Sequence, residues 1–153
     1  MSPTLTVSTQ IEIAATPAAV RSVFIDFARY TQWQQGWKFE PGDSDKQPLD
    51  LKPGDGLKVK MNGTSMQPIV MKENSANSFQ WEGSLLGLMK GVHQFHFTPS
   101  EINLGGTTFT HKEDLRGILI TLSSPLWSSG EISPSSWNQF NSDLKKEVEK
   151  SLA

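Results

Sequence analysis

No cysteine occurs among the 153 residues, which excludes disulfides, thiolate metal sites and a cysteine nucleophile and makes a reducing, cytoplasmic setting the natural expectation. No apolar run approaches the ~20 residues of a membrane-spanning helix. The opening MSPTLTVSTQIEI has neither the basic start nor the continuous apolar segment of a signal peptide. Charge of neither sign predominates: 14 Lys and Arg against 16 Asp and Glu leave a formal net charge of −2. The basic residues are scattered, so nucleic acid is not an expected partner. G-x-S-x-G, P-loop and G-x-G-x-x-G motifs are missing, and any catalysis is expected to run without a cofactor. Tyrosine is scarce too, one residue against five Trp and eight Phe. Trp and Phe supply large apolar walls with little hydrogen-bonding capacity, so the interior should be broad and greasy.

What is present reads as one domain, residues 1–153, large enough to bury a core without metal or disulfide staples. Leu5, Val7, Ile11 and Ile13 alternate with polar residues, which predicts a first strand wet on one face. Thr16-Pro17 is a cap followed by a proline at the first helical position, and Val20, Val23, Phe24 and Phe27 follow at helical spacing, predicting a helix to about Ala28. Arg29 to Gln35 predicts a second short helix that carries Trp33 inward and ends at a left-handed Gly36. Trp37 and Phe39 mark a short edge strand stopped by Pro41, and Pro41 to Asp55 a polar loop. Leu57, Val59 and Met61 form a further strand; Asn62-Gly63 is a turn, with Pro68 to Glu73 as the return strand. Phe79 and Trp81 lie on the next. Leu85, Leu86, Leu88 and Met89 are too apolar for an ordinary hairpin loop, and are read as a roof over a cavity. Ile118 to Trp127 is open between a strand extension, a helical turn and a flap. Ser133-Pro134 repeats the cap signal, and Trp137, Phe140, Leu144, Val148 and Leu152 then recur at spacings of three and four, opposite a charged face expected to be solvated.

The most informative stretch is Gly105 to Gly117. Phe109, His111, Glu113 and Leu115 share one face of a strand, and Thr108, Thr110, Lys112 and Asp114 the other. Because Phe and Leu bound the first set, His111 and Glu113 should look inward. Gly91 to Pro99 repeats the pattern with His93, Phe95 and Phe97 inward, and a polar, Gly-containing link makes the two runs an antiparallel hairpin. The terminal helix should press Trp137 and Phe140 onto this face.

Strand, two short helices, a meander and a C-terminal helix follow the order of the helix-grip fold. The segments IEIAATPAAVRSVFIDFARYTQW, WEGSLLGLMKGVHQF and GGTTFTHKEDLRG carry W-x-G, G-x-H-x-F and G-T-x-F-x-H-x-E-x-x-x-G. In these the chain resembles the START-like (SRPBCC) superfamily, and in particular its polyketide cyclase/dehydratase-type members. The resemblance implies an α+β fold in which a curved antiparallel sheet of about six to seven strands wraps a long C-terminal helix around a ligand cavity. It departs from the family where SSPLWSSGEISPSS separates the last strand from that helix. Superfamily members include cyclases, dehydratases, lipid carriers and chaperone activators, so fold membership leaves the activity open.

The candidate chemistry rests on Glu113, His111 and His93. His111 and Glu113, two apart on one strand face, should have Cα atoms about 6.5–7 Å apart. Burial penalises the carboxylate, a neighbouring imidazole offsets that penalty, and the pair is then suited to general acid–base work near neutral pH. The other reading is a hydrogen-bonded pair within a closed core. No spacing enforces three convergent ligands, so no metal is expected. Trp33, Trp37, Phe39, Trp81, Phe95, Phe109, Trp137 and Phe140 are each ordinary core residues taken singly, and together the lining of an apolar ligand site. The expected function is binding of a small hydrophobic molecule, polyketide-like or polycyclic, joined to cofactor-independent cyclisation, dehydration or isomerisation. The alternatives are a non-catalytic carrier or sensor of a hydrophobic ligand or lipid, and a chaperone-activator-like protein-binding module.

Overall fold

Period-two alternation decides the long strands, and the computed structural model of the protein, which describes residues 4–66, 69–85, 88–118 and 134–150, places them accordingly. β1 (Thr4–Ile13), β5 (Ile69–Asn74), β6 (Ser78–Leu85), β7 (Met89–Pro99) and β8 (Thr107–Gly117) form one antiparallel sheet in the order β1-β8-β7-β6-β5. β2 (Trp37–Pro41), β3 (Leu57–Met61) and β4 (Thr64–Met66) form a second, and an isolated bridge, Gly56 to Val70, links the two. The architecture is the expected α+β helix grip, with its strands divided between two sheets. β2 lies at an edge as its proline requires, pairing with β3 alone.

Asn62-Gly63 forms the tight turn, with φ of 51° and 87°, the left-handed pair that a two-residue hairpin needs. The return strand, however, is Thr64–Met66. Ile69–Asn74 crosses instead to β6, so the expectation of a hairpin between the Leu57 strand and Pro68–Glu73 is corrected. Thr64–Met66 partners Val59, Lys60 and Met61, and Pro68, two residues on in the sequence, lacks the N–H that a ladder hydrogen bond needs.

α1 (Pro17–Ile25) starts as the sequence indicates, Thr16 Oγ1 accepting from Ala19 N at 3.2 Å with Pro17 in the first turn. The second helix is shorter and earlier than expected, a 3-10 helix at Phe27–Gln32. The reason is Tyr30, which is 2% exposed and whose hydroxyl donates to Phe24 O at 2.5 Å, turning the chain back onto α1. Gly36 is not left-handed. Its role is close approach, since a Cβ there would stand 2.6 Å from Asn62 Oδ1. Gln34 then locks the start of β2, donating to Trp37 O at 2.5 Å and accepting from Trp37 N at 2.9 Å.

Phe24 is the centre of the core. Its ring lies 4.7 to 6.4 Å from those of Phe27, Phe39, Phe79, Phe95, Phe97, Phe109 and Phe140, which come from the 3-10 helix, both sheets and the terminal helix. That helix, α2 (Pro134–Lys150), buries Trp137, Phe140, Leu144 and Val148. Its charged face is not wholly solvated as expected. Lys145 Nζ donates to Glu12 O at 2.7 Å and Ala14 N donates to Glu149 at 2.9 Å, so two half-buried charges bind the helix to the end of β1. Ser133 as cap, Leu152, the Ile118–Trp127 alternatives beyond residue 118 and the roof at residues 86–87 lie outside the described residues.

Candidate functional site

β7 and β8 pair so that Phe97 faces Phe109, Phe95 faces His111, His93 faces Glu113 and Gly91 faces Leu115. A single register thus places His93, His111 and Glu113 together on the inner face. Glu113 Oε2 lies 3.2 Å from His93 Nδ1, His93 Nε2 lies 2.6 Å from His111 Nε2, and His111 Nδ1 lies 3.0 Å from Asn141 Oδ1 on α2. The four groups make one unbroken chain, with His93, His111 and Asn141 no more than 1% exposed and Glu113 8%. Glu113 is therefore its outward end.

Aromatic rings enclose the chain. His111 stacks on Trp137 at 4.2 Å and 8°, and His93 stacks on Trp81 at 4.7 Å and 12°. Trp37 and Phe95 meet both imidazoles. Trp37 in turn stacks on Phe140 at 4.4 Å. Phe39 reaches Trp81 and Phe140 without touching the chain, Phe109 lies farther along beside Phe95 and Phe97, and Trp33 is only half-buried, against Tyr30 and Phe140. The rings meet one another directly, as in a packed core.

Burial first, and the neighbouring His93 second, hold the His111 imidazole well below its ordinary value near 6.5, against the opposing hydrogen bond to Asn141. His111 is thus uncharged at neutral pH. Two imidazole nitrogens on one tetrahedral ion stand about 3.3 Å apart, whereas His93 and His111 share a 2.6 Å hydrogen bond; this is a proton-bearing chain, not a chelate. No metal-binding group of three or more His, Asp or Glu occurs among the described residues.

Asn141 is the member that the sequence reading missed. It lies four residues after Trp137 and three before Leu144, squarely on the apolar stripe. A polar residue on that stripe was the available signal. Two buried donors beside the chain, Asn141 Nδ2 and Trp137 Nε1, have no acceptor.

The comparisons bear on the fold and the family. Residues 4–150 match the family model described as polyketide cyclase / dehydrase and lipid transport. No curated protein matches the chain. Among solved structures, it is similar to a point mutant of norcoclaurine synthase from Thalictrum flavum in complex with a transition-state analogue. The TM-score is 0.70 at 11% identity, over 100% of this chain and 99% of that one. A START superfamily protein from Mycobacterium smegmatis gives 0.65 at 17% identity, over 95% and 98%. An aromatase/cyclase from a Streptomyces species gives 0.64 at 11%, over 99% and 97%. At these identities the structures speak for the fold alone, and no helix among the described residues is long and apolar enough to cross a membrane. On the match from residue 4 to 150 the chain belongs to the polyketide cyclase/dehydrase and lipid transport family, and its fold is START-like.

Proposed function

We propose that the protein binds a small hydrophobic, polyketide-like or polycyclic molecule at the Glu113 end of its interior and exchanges a proton with it through Glu113, backed by His93 and His111. The observation that carries this reading is the unbroken chain from Glu113 to Asn141. Only one proton fits between the two Nε2 atoms, so the chain has two self-consistent directions. In one, the Asn141 amide is turned over so that Nδ2 donates to His111 Nδ1, His111 Nε2 donates to His93 Nε2, and His93 Nδ1 donates to an ionised Glu113. In the other, with the Asn141 amide as it stands, His111 Nδ1 donates to Asn141 Oδ1, His93 Nε2 donates to His111 Nε2, and His93 and Glu113 share a further proton. The second state holds one proton more than the first, and His111 is uncharged in both. The first state passes to the second when one proton is added, the imidazole protons move to the opposite ring nitrogens and the Asn141 amide makes a half-turn. Glu113 thereby takes up or releases one proton without leaving a buried charge unpartnered. Such a group suits cyclisation, dehydration or isomerisation without a cofactor.

The second reading, a non-catalytic carrier, draws on the burial: of the four chain members only Glu113 has more than 1% exposure, and the surrounding rings are closely packed. Native mass spectrometry of the purified protein identifies a retained ligand, which then serves as the assay substrate. Glu113→Gln keeps shape and hydrogen bonding but removes the titratable proton, so binding is expected to survive while turnover falls about 100-fold or more at an unchanged melting temperature. Turnover at the wild-type rate in that variant rules out the proton-exchange role and leaves the carrier.

A further inference from the structure

A concavity lies away from the Glu113 end. It encloses about 740 Å³ between α1, the Pro48–Leu49 turn, the Ala76–Asn77 turn and the last residues of β7, within the range of about 300–1,000 Å³ usual for small-molecule sites. Ile25, Leu49 and Phe97 give it apolar walls, Leu49 being 62% exposed at its edge. Phe97 is six residues along β7 from Gly91, about 20 Å at strand rise, so the two places do not overlap.

Arg21 stands in the wall of this groove. Among the described residues no carboxylate comes within ion-pair distance of it. Its partner is neutral: Nη2 donates to Asn74 Oδ1 at 2.7 Å, while Nε is buried with no acceptor. Asn74 has nothing further to offer, because its Nδ2 is committed to Pro48 O at 3.0 Å and Leu51 O at 3.1 Å, which also fixes the amide with Oδ1 toward Arg21. Burial lowers the Arg21 pKa from its usual value, a sign that the cation is incompletely solvated. A partly desolvated guanidinium without a counter-ion, set in an apolar wall, is matched to an anionic oxygen group carried on an apolar body. Asp26 also lines the groove, five residues farther along the chain and about 7.5 Å along the helix axis. It repels a second negative charge and restricts the occupant to a single one.

We propose that this groove is a second ligand site, for an amphipathic monocarboxylate whose carboxylate pairs with Arg21 and whose apolar body lies on Ile25, Leu49 and Phe97. The site stands independently of the proton-exchange reading.

The test titrates the ¹⁵N-labelled protein with 2-naphthoate and, separately, with its uncharged isostere 2-naphthamide. The acid is expected to shift the backbone amides of Ala18, Ser22, Asn77 and Phe97 and to bind about tenfold or more tightly than the amide. Arg21→Gln erases that preference, Arg21→Lys keeps part of it, and Asp26→Asn tightens the acid while leaving the amide unchanged. Should Arg21→Gln fail to fold, Arg21→Lys and Asp26→Asn carry the same comparison. Equal affinity of acid and amide for the wild-type protein overturns the proposal. So do shifts centred on Gly91 and Glu113, or an Arg21→Gln protein that still prefers the acid.

Discussion

Gly91 carries no side chain where Glu113 needs the room. A Cβ there would stand 2.5 Å from Glu113 Oε1 and 2.9 Å from Leu115 Cδ2, so the missing atom lets the carboxylate fold back toward His93. Gly91→Ala is expected to displace Glu113 and to cost about 1–3 kcal/mol, as overpacking does, read as a lower urea midpoint at unchanged slope. An unshifted midpoint contradicts that role for the glycine. His111 gives a pH prediction. Its imidazole faces His93 and Asn141, with Glu113 beyond His93, and is held well below the ordinary 6.5. Below that pH the unfolded chain binds a proton that the native state does not, so His111 contributes stability fully above 6.5 and loses it as pH falls. Half-buried His96, lowered by burial, acts in the same direction. Glu12 and Glu149, both lowered by hydrogen bonds, add a further loss only below about 4.5. The urea midpoint should therefore decline between pH 6.5 and 5, and His111→Phe should flatten part of that decline. An identical decline in the variant contradicts the assignment. The inward facing of His93, His111 and Glu113 was legible because alternation fixes the face of each. Their joining into one chain was not, because it depends on the register of β7 against β8 and on Asn141 arriving from 28 residues beyond Glu113.

Elements set by local chemistry were the easiest to read. Thr16-Pro17 started α1, Asn62-Gly63 made its turn, and the 3–4 spacing of Trp137, Phe140, Leu144 and Val148 gave α2. Elements set by a distant partner were misread. Tyr30 pulls the chain after α1 into a 3-10 turn by bonding Phe24 O, and the choice of Ile69–Asn74 between β3 and β6 is a long-range pairing that no local pattern encodes. Lys145 and Glu149 looked solvated for the same reason: their partners, Glu12 O and Ala14 N, lie more than 130 residues away. α2 is held mainly by its apolar stripe. Leu144, with 0% exposure, should cost about 2–5 kcal/mol on truncation to Ala. The exposed Asn138→Ala change on the same helix should cost well under 1 kcal/mol. Equal losses for the two in urea denaturation would show that α2 does not depend on that stripe.

At the scale of the whole molecule, the two sheets, α1 and α2 converge on Phe24, and the polar chain runs along one side of that core toward the Gly91 end of the hairpin. The arrangement joins an apolar interior to a hydrogen-bonded polar thread, and it is on this thread that the proposed acid–base role rests. The most direct test is the ¹⁵N spectrum of the histidine ring nitrogens, recorded from pH 8 to 5 with and without the ligand recovered from the purified protein. The expected result is a coupling across the hydrogen bond between His93 Nε2 and His111 Nε2, a His111 ring that remains uncharged below 6.5, and movement of both rings on adding ligand or on Glu113→Gln. Two uncoupled rings, with His111 titrating near 6.5 and neither responding to ligand, contradict the central claim.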